Sequence, residues 1–404
     1  MEKEFLTETH RSVTLNVTGG KIDSFREQEE TTSTVRVYEN GCIGVAGCLG
    51  TPDEAALTAK AVEALALGIP YPCRLDGAME KEILHEEEII PIPELIPTMQ
   101  SFLDRLGEAC PRFALSNKIS LNYGKVEYRN SLGRHLTSSG RDVSVELLAQ
   151  NRGSGNLFDT AFSYSGDHFD ADALLERFKK EYDAFYTPVD IAPGRYPVVI
   201  DISDLFGTFL QHFIAEMYVS GASLLSGQLG QKVFSEKLTL KNDMNPSTNA
   251  GVRFFDDEGC VAPNYRPILI DKGTLTGLLT TKKSADSFNL PNLGTAAAAY
   301  DGVPSLGFNR FFVDSTAGTL KELVPGKSVR VVMASGGDTT PGGHFATPVQ
   351  MSYLMEDGKL VGRLPELNIS GDFYDLLGKD FAGAVRGDPN PDSMLCVTVM
   401  DVKK

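Results

Sequence analysis

His212 and Glu216 stand four residues apart in the segment Leu205 to Met217, which reads as one buried helix, and that spacing lets two side chains on one face grip a divalent metal. Leu205, Phe206, Phe209, Leu210, Phe213, Ile214 and Met217 would cover most of the circumference, leaving a polar stripe of Thr208, His212, Glu216 and Ser220 with Gln211 beside it. Polar groups buried without partners cost about 1 to 3 kcal/mol each, so something polar must face this helix. His344, at the end of the glycine-rich run that starts at Ser335, is the histidine that could add a third ligand. Two readings stand: a zinc site of His212, Glu216 and His344 that activates water, or a hydrogen-bonded His and carboxylate inside a domain.

Other clusters carry less chemistry. His85-Glu86 opens HEEEII, which lacks a second His at helical spacing and reads as a solvated acidic linker. Asp256-Asp257-Glu258 gathers three carboxylates that suit a divalent cation in principle, but adjacent acids converge on one ion only if the backbone bends sharply, so a polar turn capped by Asp is favoured. The glycine loops Gly221 to Gly230 and Ser335 to His344 match neither GxGxxG nor a P-loop and read as tight turns. His10, His135 and His168 stand in ordinary strand or loop contexts. The six cysteines form no CxxC pair and read as reduced, structural thiols.

The elements that must position these residues fall into two halves. The first contains a weak duplication: Leu15-Asn16-Val17 with Gly20-Lys21-Ile22-Asp23 parallels Leu121-Asn122-Tyr123-Gly124-Lys125-Val126-Glu127. Each copy reads as strand, glycine turn, strand, two further strands and a helix. Strands are expected near 11–17, 21–28, 32–39 and 42–48, then near 113–123, 125–130, 133–139, 142–150 and 157–164. The first helix would be capped by Thr51 with Pro52 at its first position and Glu54 completing a capping box; the second lies around 170–186. A Pro- and Glu-rich connection with a short helix near 96–107 separates the copies. After Pro188, RYPVVIDI (195–202) reads as a central strand feeding the helix at Leu205, and beyond residue 230 short strands with Gly and Pro punctuation dominate. The expected fold class is α+β: a unit over 1–67, a linker over 68–110, a second unit over 111–188 and a large β-rich domain over 189–404.

Composition is that of a globular protein, with 42% hydrophobic and 23% charged residues over 404 positions. A net charge of -16 argues against nucleic acid and anionic membranes as partners, because both need a basic footprint. No apolar run approaches the ~18 residues of a membrane helix, and MEKEFLTETHRS has no apolar signal core, so the expected location is cytoplasmic.

Over residues 11 to 402 the chain resembles the TldD/PmbA family, once called modulators of DNA gyrase. The resemblance is carried by Asn130-Ser131-Leu132-Gly133, by Phe206 to Gly230 with its SGQLGQ end, and by VRFFDDEG (252–259) followed by ILIDKGTLTGLLTTKKSA (268–285). It implies repeated α+β units before a β-rich peptidase domain. It also implies two kinds of subunit: a TldD kind, a zinc peptidase with HExxxH on the helix before the glycine loop and a late Cys ligand, and a TldE/PmbA kind that lacks these ligands and pairs with TldD. Aligned through the glycine loop, Gln211 falls at the first His, His212 at the Glu and Glu216 at the second His, so all three have departed. Cys396 falls in the closing strand and not in a ligand loop. The resemblance therefore implies a subunit with no metal of its own, Gln211, His212 and Glu216 lining a degenerate peptide cleft, a TldD-like partner or a second copy of itself, and zinc in that partner. An extended peptide would pair with a sheet edge. An active metallopeptidase using His212, Glu216 and His344, and a non-catalytic homodimeric peptide-binding protein, are the alternatives.

Overall fold

In the computed structural model, which describes residues 1–247, 250–307, 310–387 and 393–404, two eight-stranded sheets run through an α+β chain. The first begins with strands β1 (Glu2–Thr18), β2 (Lys21–Glu39) and β3 (Cys42–Leu49), helix α1 (Glu54–Ala64), and strands β4 (Ile69–Pro70) and β5 (Met79–Ile83). Helix α2 (Ile92–Ala109) follows, then β6 (Phe113–Asn130), β7 (Arg134–Asn151), β8 (Thr160–Gly166) and α3 (Ala171–Phe185). The strand order is β4-β3-β2-β1-β6-β7-β5, with β8 also on β7.

Each copy of the duplication is thus a long hairpin, a shorter strand and a helix, and antiparallel pairing of β1 with β6 fuses the copies into one sheet. Several expected breaks are absent. The strands expected as 113–123 and 125–130 are a single strand, as are those at 133–139 and 142–150, because Gly124 and Gly140 sit opposite each other inside the ladder instead of at turns. The first copy does turn at Gly19 and Gly20, both with positive φ, so its counterpart is the turn at Gly133 and not Gly124. The helix cap also moves: Asp53, not Thr51, accepts from the N–H groups of Ala55 and Ala56. The helix expected at 96–107 runs from Ile92 to Ala109, its apolar face of Leu95, Met99, Phe102, Leu103 and Leu106 continuing past Pro97.

Alternation decides which sheet face is covered. Val13, Leu15 and Val17 of β1 point to one face and are buried with α2 and α3. The intervening positions point to the other, where Glu4 and Leu6 lie beneath residues 254–258 of the second half. Helix α3 also packs on the second sheet, where the Tyr353 hydroxyl donates to the Glu181 carbonyl at 3.2 Å.

The second sheet is centred on β9 (Gly194–Asp201), the RYPVVIDI strand, which pairs parallel with Lys327–Ala334 and antiparallel with Met394–Lys403. Cys396 lies in that closing strand, fully buried, and burial pushes its thiol pKa up. The strand expected at 349–356 extends back to His344. That expected at 233–240 reduces to Leu240–Asn242, and that at 274–282 to Thr274–Leu275, so this half is rich in irregular chain.

Candidate functional site

Asp201 caps helix α4 (Ile202–Phe209), its carboxylate accepting from the Ser203 N–H. The single helix expected over Leu205 to Met217 then fails. Leu210–Phe213 form a 3-10 turn, Ile214 is extended at φ -75 and ψ 128, and a short helix α5 (Ala215–Val219) restarts in a new direction. The break has a cause on the neighbouring segment: Leu279 N–H donates to the Phe213 carbonyl at 2.8 Å and Ala215 N–H to the Leu279 carbonyl at 3.1 Å. A single parallel bridge between Ile214 and Leu279 interrupts the helical hydrogen bonding there.

The polar stripe does not survive this break. His212 is 6% exposed, whereas Gln211 and Glu216 face solvent. Its members bond to backbone and not to one another: Thr208 donates to the Asp204 carbonyl, Ser220 to that of Met217, and His212 Nδ1 accepts from the Leu224 N–H at 3.3 Å. The His212 ring lies 5.4 Å from the Phe373 ring, and burial lowers its pKa, so neutral imidazole is favoured. The glycine loop folds back over it, with Ser223 Oγ donating to the His212 carbonyl at 2.7 Å and Tyr374 reaching Gln228. Gly221, Gly227 and Gly230 take positive φ in this loop, as turn residues must. His344 is exposed and pairs with Asp372 at 3.3 Å. Among the described residues, no three His, Cys, Asp or Glu side chains gather as a set able to hold a metal ion. His212, Glu216 and His344 are not brought together as ligands, and with Nδ1 of His212 committed to the loop backbone this donor set does not fit zinc.

Asp256-Asp257-Glu258 forms the expected Asp-capped turn, Asp256 accepting from the N–H groups of Glu258 and Cys260, but the turn is buried. Its three carboxylates diverge: Asp257 binds Arg253 and the Ala298 N–H, while Glu258 accepts from the Tyr71 hydroxyl at 2.6 Å and the Lys282 N–H at 2.7 Å. Around it the two halves lock. Arg36 donates to Glu4 at 2.9 Å and to the Asp257 carbonyl at 2.6 Å, Tyr38 and Tyr128 both donate to Glu4, and Lys282 reaches the Glu258 carbonyl and Asp76. Burial and then Asp256 push the Glu258 carboxyl up to about 8. Burial alone would depress Lys282, but Glu4, Asp76, Glu258 and Asp256 outweigh it and raise its pKa to about 12.

Open space lies elsewhere. Above the uncovered face of the first sheet, a cleft of ≈ 450 Å³ is lined by Glu8, His10, Gln28, Glu30, Thr32, Ala298, Ala299 and Tyr300. A second, of ≈ 180 Å³, includes Asn122, Gly124, Ser138, Gly140, Asp142 and the loop Gly251 to Arg253, and shares His10 with the first. His10 had no sequence signal beyond an ordinary strand context.

This arrangement is that of a known class. Residues 193–388 match the PmbA/TldA metallopeptidase C-terminal domain family. Over that stretch the chain is similar to the TldD/PmbA proteins, the family that its motifs resemble. It is 24% identical to a metalloprotease of Archaeoglobus fulgidus over 381 residues, 91% of this chain and 88% of that protein. It is 22% identical to a zinc metalloprotease TldD homolog of Saccharolobus solfataricus over 63% of this chain and 61% of that one. The solved TldE of Thermococcus kodakarensis shares its fold with a TM-score of 0.80 at 19% identity, covering 100% of this chain and 96% of the other. A Thermotoga maritima protein described as a modulator of DNA gyrase does so with a TM-score of 0.75 at 18% identity over 99% and 96%.

Proposed function

We propose that this chain is the TldE/PmbA-type, zinc-free subunit of a TldD/PmbA-family peptidase, working in the cytoplasm beside a TldD-like partner that holds the zinc and cuts short or unfolded peptides. The observation that carries this reading is the fate of the three aligned ligand positions. Gln211 and Glu216 have turned to solvent on either side of a helix break, and His212 has turned inward, its ring nitrogen spent on the glycine loop. An amide oxygen is a poor substitute for imidazole, and a neutral buried His with no metal beside it has no water to activate. In this reading the chain contributes a peptide-handling surface and the partner contributes the hydrolytic centre.

The test is metal analysis of the isolated chain after exposure to zinc, followed by peptide cleavage with and without a TldD-type subunit. Expected are no stoichiometric zinc, no cleavage by the chain alone, and cleavage by the pair. One tightly bound zinc per chain sinks the reading. If instead native purification yields only a homodimer that binds peptide without cutting it, the partner assignment is replaced by self-association.

A further inference from the structure

We propose that the trough over the open face of the first sheet, centred on His10, binds an extended peptide segment bearing Lys or Arg. This rests on the reading of the chain as a peptide-handling subunit, but names a surface and a substrate class that the degenerate cleft does not.

Strand register builds the trough. Directly paired residues share a face, so three rows cross four strands: Thr32, Glu8, Val126 and Ser138; Glu30, His10, Gly124 and Gly140; Gln28, Ser12, Asn122 and Asp142. In the middle row two side chains are missing: the space over Gly124 is open, while over Gly140 the backbone of Ala250 and Gly251 closes one end of the smaller cleft. Gly140 has a structural reason, since a Cβ there would meet the Ala250 carbonyl oxygen at 2.6 Å. Gly124 has none: a Cβ would meet nothing within 4 Å, and its φ is not in the left-handed region. A glycine inside a strand costs stability, so an unforced one marks a place where another backbone can approach.

The walls add two preferences. Ser138 is 3% exposed, lines the smaller cleft on its open face, and its Oγ has no hydrogen-bond partner. A peptide backbone laid over Gly124 would supply one. The charges favour a cation. Arg253 is paired with Glu8 and Asp257, and Arg141, which also lines the smaller cleft, meets Glu87 through Nη1 at 3.5 Å while its buried Nε has no partner; among the described residues neither Glu30 nor Asp142 pairs with a Lys or Arg. Asp142 accepts from Asn122 at 3.0 Å, and burial holds its carboxyl above the ordinary value. Glu8, despite Arg253, is also held up by burial. An arriving ammonium or guanidinium therefore meets two carboxylates, Glu30 and Asp142, with no cationic partner of their own.

The test measures anisotropy of a short fluorescein-labelled Lys/Ala peptide and its Glu/Ala counterpart on the full chain. Two variants are designed to leave the fold intact: Gly124→Phe, which fills the trough from an unstrained strand position, and Glu30→Lys, on an exposed strand residue. Thermal melts verify folding before binding is read. Expected are tighter binding of the Lys/Ala peptide, about tenfold weaker binding of both peptides to Gly124→Phe, and about tenfold weaker binding of the Lys/Ala peptide alone to Glu30→Lys. Spermidine, which offers charge without a backbone, should not displace the peptide at equal concentration. Wild-type affinity in either folded variant, equal binding of both peptides, displacement by spermidine, or no binding by the parent chain each overturns the trough. None of these bears on zinc content or on cleavage by the pair, so this inference and the subunit reading fail separately.

Discussion

The helix break at Ile214 and the trough at His10 are both built around a histidine, and they have been finished in opposite ways. At His212 every neighbour closes in: the Phe373 ring, the Ser223 hydroxyl and the Leu224 N–H leave a neutral imidazole with structural work to do. At His10 the neighbours withdraw, with Gly124 opposite it, Gly140 one strand further on, and both clefts lined by it. The segment around His212 is closed by packing, while open space lies on a sheet that no motif marks. The buried joint of Glu4, Arg36, Glu258 and Lys282 ties the first sheet to the turn at 256–258, whose Asp256 and Asp257 in turn hold the N–H groups of Ala296 and Ala298.

The largest expected effect comes from cutting that joint. Glu4→Ala leaves Arg36, 1% exposed, without its carboxylate and removes the acceptor of Tyr38 and Tyr128. Removing one partner of a buried pair costs about 3 to 5 kcal/mol, because the other charge stays buried. Urea denaturation should show that loss with an unchanged m-value, and a loss under about 1 kcal/mol would mean that water reaches Arg36. A joint weakened this far should also loosen the trough walls, so peptide binding should fall with stability.

Titration of the same joint should act next, by roughly 1 to 3 kcal/mol. The folded pKa of Glu258, about 8, lies above its ordinary 4.5, and that of Asp256, about 6, above 3.8. The native state therefore holds these protons more tightly than the unfolded chain, and their stabilisation is complete below the ordinary values and lost as pH rises through about 6 and then 8. Lys282, raised to about 12, stays charged throughout and contributes no slope in that window. Stability should fall between pH 5 and pH 8, and Glu258→Gln should flatten the fall; a parent protein whose stability rises over that range rules this out.

Much of the architecture could be read in advance because its signals are local. The alternation at Val13, Leu15 and Val17 marks a half-buried strand, and RYPVVIDI a central one. What escaped depends on register. Gly124 looks like a turn in one dimension, and only its pairing with His10 and Gly140 makes it the floor of a trough. The helix over Leu205 to Met217 has an unbroken helical pattern, yet Leu279, more than 60 positions away, takes the backbone bonds that would continue it. The motif Asp256-Asp257-Glu258 was legible as a turn, but its burial comes from β1, β2 and the segment around Tyr71 closing over it.

The smallest effects discriminate best between a relic and a working cleft. His212→Leu keeps the apolar contact with Phe373 but strands the Leu224 N–H, which should cost about 1 to 2 kcal/mol and leave peptide binding by the isolated chain within twofold of the parent. Gln211→Ala and Glu216→Ala, both at solvent-facing positions, should change stability by no more than about 0.5 kcal/mol. Their effect on peptide binding is the sharper quantity. If these three positions still line a peptide path in the isolated chain, binding falls while folding barely changes; if the path runs over Gly124, the alanine variants bind as the parent does and only the trough substitutions register. A substantial binding loss in Gln211→Ala or Glu216→Ala would therefore move the peptide back to the helix break, because an exposed side chain with no fold to support can matter to binding only by touching the ligand.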